Sequence, residues 1–147
     1  MNTSVDDLLR RKGNDVITID ENATVFQAIE IMEARRVGSI IATSEGRTAG
    51  IFTERDYLRR IVLQGRTSRS TLVKDAMTSD LVSVEPEMSV QDCMALMTEH
   101  RIRHLPVMAD GRLVGVLSIG DLVKSLLKES QAKAEHLENL ISGSYPG

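Results

Sequence analysis

The sequence predicts a mixed α/β protein, of α+β character, built from two copies of a β-α-β-β-α unit. A shift of 65 residues places Thr18–Val62 on Ser83–Leu127 without a gap and keeps seven positions identical. In both copies, short β-rich runs alternate with apolar residues at helical spacing. The repeat therefore predicts one folding unit used twice and two equivalent positions for a functional site.

The first copy contains five elements in order. It predicts strands at Val16–Ile19, Ser39–Thr43 and Thr48–Phe52, and helices from Thr24 and from Glu54 to Leu63, the last ended by Gly65. The helix from Thr24 has apolar residues at i, i+3, i+4 and i+7, which places them on one buried face. Gly65 favours a helix end because glycine adopts the left-handed conformation there at no steric cost.

The second copy repeats this order. It predicts strands at Leu81–Val84, Leu105–Met108 and Leu113–Leu117, a helix from Ser89, and a last helix from near Ile119 through Lys128–Glu138, followed by a tail. Asp110-Gly111 between the last two strands is a strong hairpin signal. Each copy is preceded by a similar short helical segment, Val5–Leu9 and Val73–Met77. The expected organisation is a first motif at 5–64, a linker at 65–72, a second motif at 73–128, and a helical extension and tail at 129–147.

Composition limits the class of protein. The 147 residues are 41% hydrophobic with a formal net charge of −3, so nothing attracts the whole chain to nucleic acid or an anionic membrane. Two units of about 60 residues are each marginal alone, so the halves are expected to share a core. Cys93 is the only cysteine and aligns with Ala28 on an apolar helix face, which predicts a small buried residue in a reducing compartment. No apolar run approaches 18 residues, and the expectation is a soluble cytoplasmic protein.

One local run is basic: Arg55, Arg59, Arg60, Arg66, Arg69 and Lys74. Two interpretations stay open from sequence. The run contacts phosphate groups, or it only solvates a helix face and the linker, as charge runs usually do.

The candidate chemistry lies at two equivalent strand-to-helix corners. Gly50 is followed by Thr53 and Asp56, and Gly115 by Ser118 and Asp121. A helix N-terminus attracts an anion such as phosphate, and a nearby carboxylate can accept the two hydroxyls of a ribose. The competing interpretation is a capping box, in which hydroxyl and carboxylate only satisfy backbone N–H groups. Thr24 with Gln27 and Ser89 with Asp92 predict two further boxes of that kind.

Residues Val5–Leu127 together resemble a tandem pair of CBS domains, named for cystathionine β-synthase, an arrangement called a Bateman module. The matching segments are Val73–Thr78, Ile102–Val107 and the two Gly-x-x-[Thr/Ser]-x-x-Asp corners. The resemblance implies sheets packed about a pseudo-twofold axis, helices outside, and two symmetry-related clefts. In similar modules the clefts bind adenosyl ligands: AMP, ADP, ATP, S-adenosylmethionine or a dinucleotide such as NAD.

Carried over by position, the resemblance implies a role for each site residue. Asp56 and Asp121 hold ribose hydroxyls, and Thr53 and Ser118 contact ribose or phosphate. The other implied contacts are Thr18 and Ser83 near base or ribose, Ser39, Ile40, Ile41, Arg103, His104, Leu105 and Pro106 around the second strand, and Arg55, Arg59 and Lys124 near a phosphate. By analogy, each cleft takes its carboxylate from one unit and its first-strand hydroxyl from the other.

The two copies differ where Gly38–Ile41 aligns with Arg103–Pro106, so the clefts are expected to differ in charge and shape. The first cleft is favoured for the ligand with more phosphate, because Arg55 has no counterpart. His100 and His104 are four residues apart, but the helix is expected to end near Arg101, which argues against a metal pair on one helix face.

Three function classes remain. The leading one is an adenine-nucleotide-sensing regulatory module, a homodimer with no catalytic cofactor, acting alone or on a protein partner. The alternative is a ligand-free scaffold that dimerises and binds a partner. An enzyme is disfavoured, because Asp56 and Asp121 lie in separate copies and do not converge as an acid–base pair.

Overall fold

The computed structural model describes residues 3–13 and 15–142. The helices are α1 Val5–Lys12, α2 Val25–Arg35, α3 Glu54–Asp56, α4 Val90–His100 and α5 Ile119–Ser142. The strands are β1 Thr18–Asp20, β2 Ser39–Ser44, β3 Arg47–Thr53, β4 His104–Ala109 and β5 Arg112–Ser118. A π-helical segment, Tyr57–Val62, continues α3, and a 3-10 turn lies at Val73–Asp75. The predicted mixed α/β class is confirmed, and the tail from residue 143 lies outside the described residues.

The two hairpins are matched in detail. β2 pairs antiparallel with β3, and β4 with β5, and each pair has a register shift at the same repeat position, after Ala42 and after Val107. Both turns use two residues of positive φ, as the twist of a tight hairpin requires. The Asp110-Gly111 hairpin predicted from sequence is therefore confirmed.

The first strand differs between the copies. β1 pairs in parallel with β2, whereas the predicted strand at Leu81–Val84 is reduced to a single bridge between Val84 and Val107. In the first copy, the Glu21 N–H donates to the Thr43 carbonyl at 2.8 Å and extends the ladder. The equivalent residue is Pro86, which has no N–H to donate, so the ladder stops. At the other end of the ladder, Pro106 takes the place of Ile41, whose N–H donates to the Ile17 carbonyl at 3.0 Å, so that bond is lost as well and the prediction of a full strand is wrong.

The two segments that precede the copies are exchanged. Val5, Leu8 and Leu9 of α1 are buried in a cluster made by α4, β4, β5 and α5 of the second copy. Val73 and Ala76 are buried in a cluster made by α2, β2, β3 and the π-helical segment of the first copy. Neither core is complete without the other half of the chain, so the expected sharing takes the form of two cores with exchanged contributions.

Backbone hydrogen bonds fix this exchange symmetrically. The Val5 N–H donates to the Met88 carbonyl at 2.8 Å, and the Val73 N–H donates to the Ala23 carbonyl at 2.8 Å. Met88 and Ala23 are repeat equivalents, as their spacing of 65 residues shows. The two segments differ after these hydrogen bonds. α1 continues as a helix to Lys12, whereas the equivalent 3-10 turn ends at Asp75.

Four residues of the basic run contact other parts of the fold, and contact of the run with phosphate stays a prediction. The guanidinium of Arg55 donates to the Arg101 carbonyl at the end of α4, and Arg60 donates to the carbonyls of Ala76 and Met77. Arg66 donates to the Asp75 carbonyl at 3.2 Å, and Arg69 lies 3.9 Å over the Phe26 ring. These four arginines connect elements of the fold. Cys93 is fully buried, as predicted, and burial followed by the nearby Asp92 charge raises its pKa to about 11.

Candidate functional site

Both glycine-to-aspartate corners fold as reciprocal capping boxes. The Asp121 N–H donates to Ser118 Oγ at 3.1 Å, and Asp121 Oδ2 accepts from the Ser118 N–H at 2.8 Å. Thr53 and Asp56 form the same two bonds, at 3.1 and 3.0 Å. The capping interpretation is therefore correct for both corners, yet capping uses only one carboxylate oxygen, Oδ2. What the other oxygen contacts distinguishes the two corners.

The other two predicted boxes are less uniform. Thr24 and Gln27 form both reciprocal bonds, whereas at Ser89 only the hydroxyl half is present, with the Asp92 N–H donating at 3.1 Å. A fifth box, formed by Ser4 and Asp7 at the start of α1, follows the same sequence rule but was not predicted.

A cavity of about 310 Å³ opens at the corner of Ser118 and Asp121, which we call the open corner. Its second-copy lining is His104, Val116, Ser118 and Asp121, and its first-copy lining is Lys12, Asp15–Ile17 and Arg36–Ile41. The carboxylate of one copy thus meets the segment before β1 of the other. The volume lies at the lower end of the range for small-molecule sites.

Lys12 links α1 to the carboxylate of the open corner. Its Nζ lies 2.6 Å from Asp121 Oδ2 and donates to the Val116 carbonyl at 2.7 Å. Both side chains remain partly accessible, at 36% for Lys12 and 24% for Asp121. Asp121 Oδ1 has no hydrogen bond from any residue in the described part of the chain. Among the described residues, the open corner therefore offers one carboxylate oxygen without a hydrogen bond, beside the ammonium group of a long, flexible side chain.

The charges at the open corner are set by burial and by Lys12. Partial burial pushes the pKa of Asp121 upward, but the hydrogen bonds from Lys12 and from the Ser118 backbone outweigh it, and the pKa is lowered. Burial, followed by the charge of Lys12, lowers the pKa of His104. At neutral pH the cavity therefore presents an ionised Asp121, a cationic Lys12 and a neutral His104.

The first-copy wall of the cavity is apolar and close to His104. Ile40 and Ile41 are each 1% exposed and give a buried apolar flank. Gly38 is needed at the rim, because a Cβ there would lie 3.2 Å from the His104 ring and 2.5 Å from a Glu54 carboxylate oxygen. The missing side chain lets the imidazole of the second copy pack against the backbone of the first.

The equivalent corner at Thr53 and Asp56 is filled from within, and we call it the closed corner. Asp56 Oδ1 accepts from Thr78 Oγ1 at 3.1 Å and lies 3.9 Å from Arg60 Nε. Oδ2 accepts from Thr53 Oγ1 at 3.1 Å as well as from its backbone. Both carboxylate oxygens of Asp56 are engaged, and the residue is only 8% exposed.

Backbone pairing brings Thr78 to the closed corner. The Thr78 N–H donates to the Ile51 carbonyl at 2.8 Å, and the Ile51 N–H donates back at 2.9 Å. Gly50 permits this approach, since a Cβ there would lie 2.7 Å from the Thr78 carbonyl oxygen. At the open corner the equivalent Gly115 faces only the end of the Leu9 side chain, at 2.6 Å. Strand-like pairing thus closes one corner, and a helix leaves the other open.

Six predicted contacts line the cavity: Ser39, Ile40, Ile41, His104, Ser118 and Asp121. Thr53 and Asp56 lie at the closed corner, and Arg55 is bound to the Arg101 carbonyl. Outside the cavity lining are Thr18, Arg59, Ser83, Arg103, Leu105, Pro106 and Lys124, of which Leu105 and Pro106 are buried. The ligand contacts of all these residues stay predictions, and so does the preference of the first cleft for phosphate.

Sequence reasoning missed several cavity residues, chiefly Lys12, Asp15 and Arg36. Arg36 is identical to Arg101 in the repeat, and each ends its helix in the left-handed conformation. Lys12 and Asp15 belong to the stretch before β1, where the first copy has three extra residues relative to the second. That insertion was the one signal in the sequence that different kinds of segment contact the carboxylates of the two corners.

No group of three or more histidine, cysteine, aspartate or glutamate residues within 3–13 and 15–142 is placed to hold a metal ion. α4 ends at His100 and β4 begins at His104, so these two histidines lie on different elements, as expected. Among the described helices, none has the length and apolar character needed to cross a membrane.

The chain belongs to the CBS domain family, which it matches over residues 4–63 and 73–128. A mitochondrial CBS domain-containing protein of Arabidopsis thaliana is 40% identical, over 97% of this chain and 74% of the relative. A CBS domain-containing protein of Bacillus subtilis is 38% identical, over 81% and 85%. The solved structure of a protein with CBS domains from Burkholderia ambifaria is 45% identical, covers 86% of this chain and 95% of its own, and superposes with a TM-score of 0.83.

These comparisons fix the class at a coarse level. Tandem CBS pairs are generally regulatory, ligand-binding modules, and proteins that contain them commonly form oligomers. The last two relatives contain little beyond the matched region, since 85% and 95% of their lengths are covered. The cytoplasmic location expected from sequence stays a prediction, because the Arabidopsis relative is described as mitochondrial.

Proposed function

We propose that this protein is a regulatory module that binds one adenosine-containing ligand at the open corner and has no catalytic activity of its own. AMP, ADP, ATP, NAD and S-adenosylmethionine are the candidate ligands. The observation that carries the proposal is Asp121 Oδ1, which accepts no hydrogen bond from the described residues and belongs to the lining of a cavity of about 310 Å³. A carboxylate oxygen in that position can accept the ribose hydroxyls, as an acidic residue does in dinucleotide-binding folds.

The other walls of the cavity suit the remaining parts of such a ligand. Ile40 and Ile41 form a buried apolar flank on which an adenine ring can pack. Lys12 and the Ser118 hydroxyl, at the start of α5, supply donors for a phosphate. One ligand would thus contact both copies and α1 at once.

This placement suggests how binding would be signalled. The cavity is made by α1, β2 and the segment before β1 on one side and by β4, β5 and α5 on the other. A ligand that binds one arrangement of these elements better than another shifts their equilibrium by its difference in affinity. The response would be a change in conformation or oligomeric state.

Thermal melting with the five candidate ligands tests the proposal. A ligand at 100 times its dissociation constant adds about 2.7 kcal/mol, which raises Tm by about 5–10 °C for a chain of this size. We expect the shift to vanish in Asp121→Asn and to persist in the matched control Asp56→Asn, measured from its own baseline. No shift with any of the ligands would favour the ligand-free scaffold instead.

We also propose that the protein is a homodimer. Leu58 and Val62 are 56% and 49% exposed, and their repeat equivalents Val123 and Leu127 are 41% and 61% exposed. Four large apolar side chains at symmetric positions on the π-helical segment and on α5 are typical of a surface covered by a second copy. Light scattering should give twice the 16.2 kDa mass of the chain, and Leu58→Glu together with Leu127→Glu should give the monomer. A concentration-independent 16.2 kDa mass for the unaltered protein would exclude the dimer.

A further inference from the structure

We propose that Lys12 selects a nucleotide over its nucleoside at the open corner, because its ammonium group leaves Asp121 and binds the ligand's phosphate. This inference rests on the proposed function, since it concerns the same cavity. It assigns a specificity-determining role to a residue outside the glycine-to-aspartate motif.

The position of Lys12 combines a fixed base with a movable end. It is the last residue of α1, whose Leu8 and Leu9 are buried in the core of the second copy. Its side chain crosses to the open corner, where Nζ contacts Asp121 Oδ2 at 2.6 Å and the Val116 carbonyl at 2.7 Å. A lysine stem has four rotatable methylene groups, so Nζ can change partner without moving the helix.

The closed corner shows what Lys12 replaces. There Thr78 contacts the same carbonyl position and the carboxylate: its N–H donates to the carbonyl of Ile51, the counterpart of Val116, and its hydroxyl donates to Asp56 Oδ1. Both donors of Thr78 belong to a residue paired with β3, so they cannot leave together without breaking that pairing. At the open corner one flexible cation satisfies the equivalent carbonyl and the other carboxylate oxygen, Oδ2. The exchange is therefore available at only one of the two corners.

The charges of the cavity favour the exchange when a phosphate arrives. A phosphate monoester carries a charge of about −1.5 to −2 at pH 7, which makes it a stronger partner for an ammonium group than one partly exposed carboxylate. Release of Lys12 frees lone pairs of Asp121 for the ribose hydroxyls. A nucleoside brings no phosphate, so it can use only Asp121 Oδ1, leaves Lys12 bonded to Oδ2 and gains no ionic contact.

A purely structural role for Lys12 makes a different prediction. If Lys12 only holds Asp121 in position, its removal weakens a nucleoside and a nucleotide by the same factor. The ratio of their affinities therefore distinguishes selection from positioning.

Calorimetric titration of AMP and adenosine into the whole protein tests the proposal. The unaltered protein should bind AMP at least about tenfold more tightly than adenosine, the value of one charge-assisted contact. In Lys12→Met, AMP should weaken about tenfold while adenosine stays the same or tightens, and Lys12→Arg should keep the preference. Arg11→Met, which removes a neighbouring exposed charge of α1, is the matched control and should behave as the unaltered protein.

The outcomes separate this inference from the proposed function. Equal weakening of AMP and adenosine in Lys12→Met, or an AMP preference that survives this change, overturns the selection by Lys12 and leaves nucleotide binding intact. Failure of the unaltered protein to bind either compound overturns the proposed function, and the inference with it. Melting curves recorded without ligand show whether Lys12→Met remains folded.

Discussion

The open and closed corners have the same motif and the same capping bonds, but the carboxylate of the open corner lines a cavity of about 310 Å³, and that of the closed corner is covered by neighbouring side chains. At the closed corner Thr78 and Arg60 contact Asp56, whose side chain is 12% exposed. At the open corner a single lysine contacts Asp121, whose side chain is 24% exposed. The motif therefore gives each copy a capped helix, and the segment contributed by the other copy decides whether a ligand can reach the carboxylate.

The largest expected difference between the corners is in stability. Asp56→Ala removes the reach-back half of a cap and leaves the Thr78 hydroxyl without its partner, at a cost of about 2–4 kcal/mol. Asp121→Ala removes a similar cap bond but leaves an exposed Lys12 free to bind water, at a cost of about 1 kcal/mol. Urea denaturation of both variants measures the difference. Equal losses would mean that the contacts of Asp56 are no stronger than those of Asp121.

The two equivalent glycines should differ next. Gly50→Ala forces a Cβ against the Thr78 backbone and should cost about 1–3 kcal/mol, because backbone paired with β3 cannot move aside. Gly115→Ala meets only the flexible end of Leu9 and should cost less. Denaturant midpoints compare the pair. A cost for Gly115→Ala as large as that for Gly50→Ala would contradict the role of strand pairing in closing the corner.

A smaller change, a gain in stability, is expected at the position of the second copy that aligns with Arg60. Its counterpart is Ser125, which is buried and whose hydroxyl oxygen has no hydrogen-bond partner within residues 3–13 and 15–142. Removal of an unsatisfied buried hydroxyl is nearly neutral or stabilising, so Ser125→Ala should raise the unfolding free energy by up to about 1 kcal/mol. Thermal melting checks this result, and a clear loss of stability would show that the hydroxyl is satisfied in solution.

The smallest effect concerns pH. The pKa of Asp121 lies below its ordinary value of 3.8, so the ionised carboxylate stabilises the fold above that pH, and this stabilisation is lost as pH falls through the folded-state pKa. Lys12→Met should raise the pKa of Asp121, since burial remains and the ammonium is gone. Carboxyl NMR titration measures it, and the accompanying loss of stability near neutral pH should not exceed about 1 kcal/mol. An unchanged Asp121 pKa would mean that Lys12 and Asp121 are not paired in solution.

Much of the fold was predictable because it depends on local sequence patterns that occur in both copies of the repeat. The hairpin at Asp110-Gly111, the helix from Thr24 and the buried Cys93 each follow from spacing or turn chemistry within a few residues. The missing strand near Val84 was predictable in principle, since Pro86 cannot extend a ladder. The π-helical winding after Asp56 has no signal in the sequence that we can identify.

The site was predictable only in part. The capping hydroxyls and carboxylates have a fixed spacing, so Ser118 and Asp121 could be identified from sequence. Lys12 could not, because it is 109 residues from Asp121 along the chain and reaches it through the exchange of α1 between the copies.

The sequence by itself determined the repeated unit, its capped corners and the family, because propensity, capping and turn geometry act between near neighbours along the chain. Only the tertiary structure decided which corner is open. That choice depends on where two short segments pack. Leu9 packs in the core of the second copy, so that the side chain of Lys12 reaches the open corner. Met77 packs beside Gly50, so that the backbone of Thr78 pairs with β3 at the closed corner. Such segments are held by the burial of their apolar side chains, and the hydrophobic effect has no preferred direction. The sequence pattern therefore shows that these segments are buried, but not in which core.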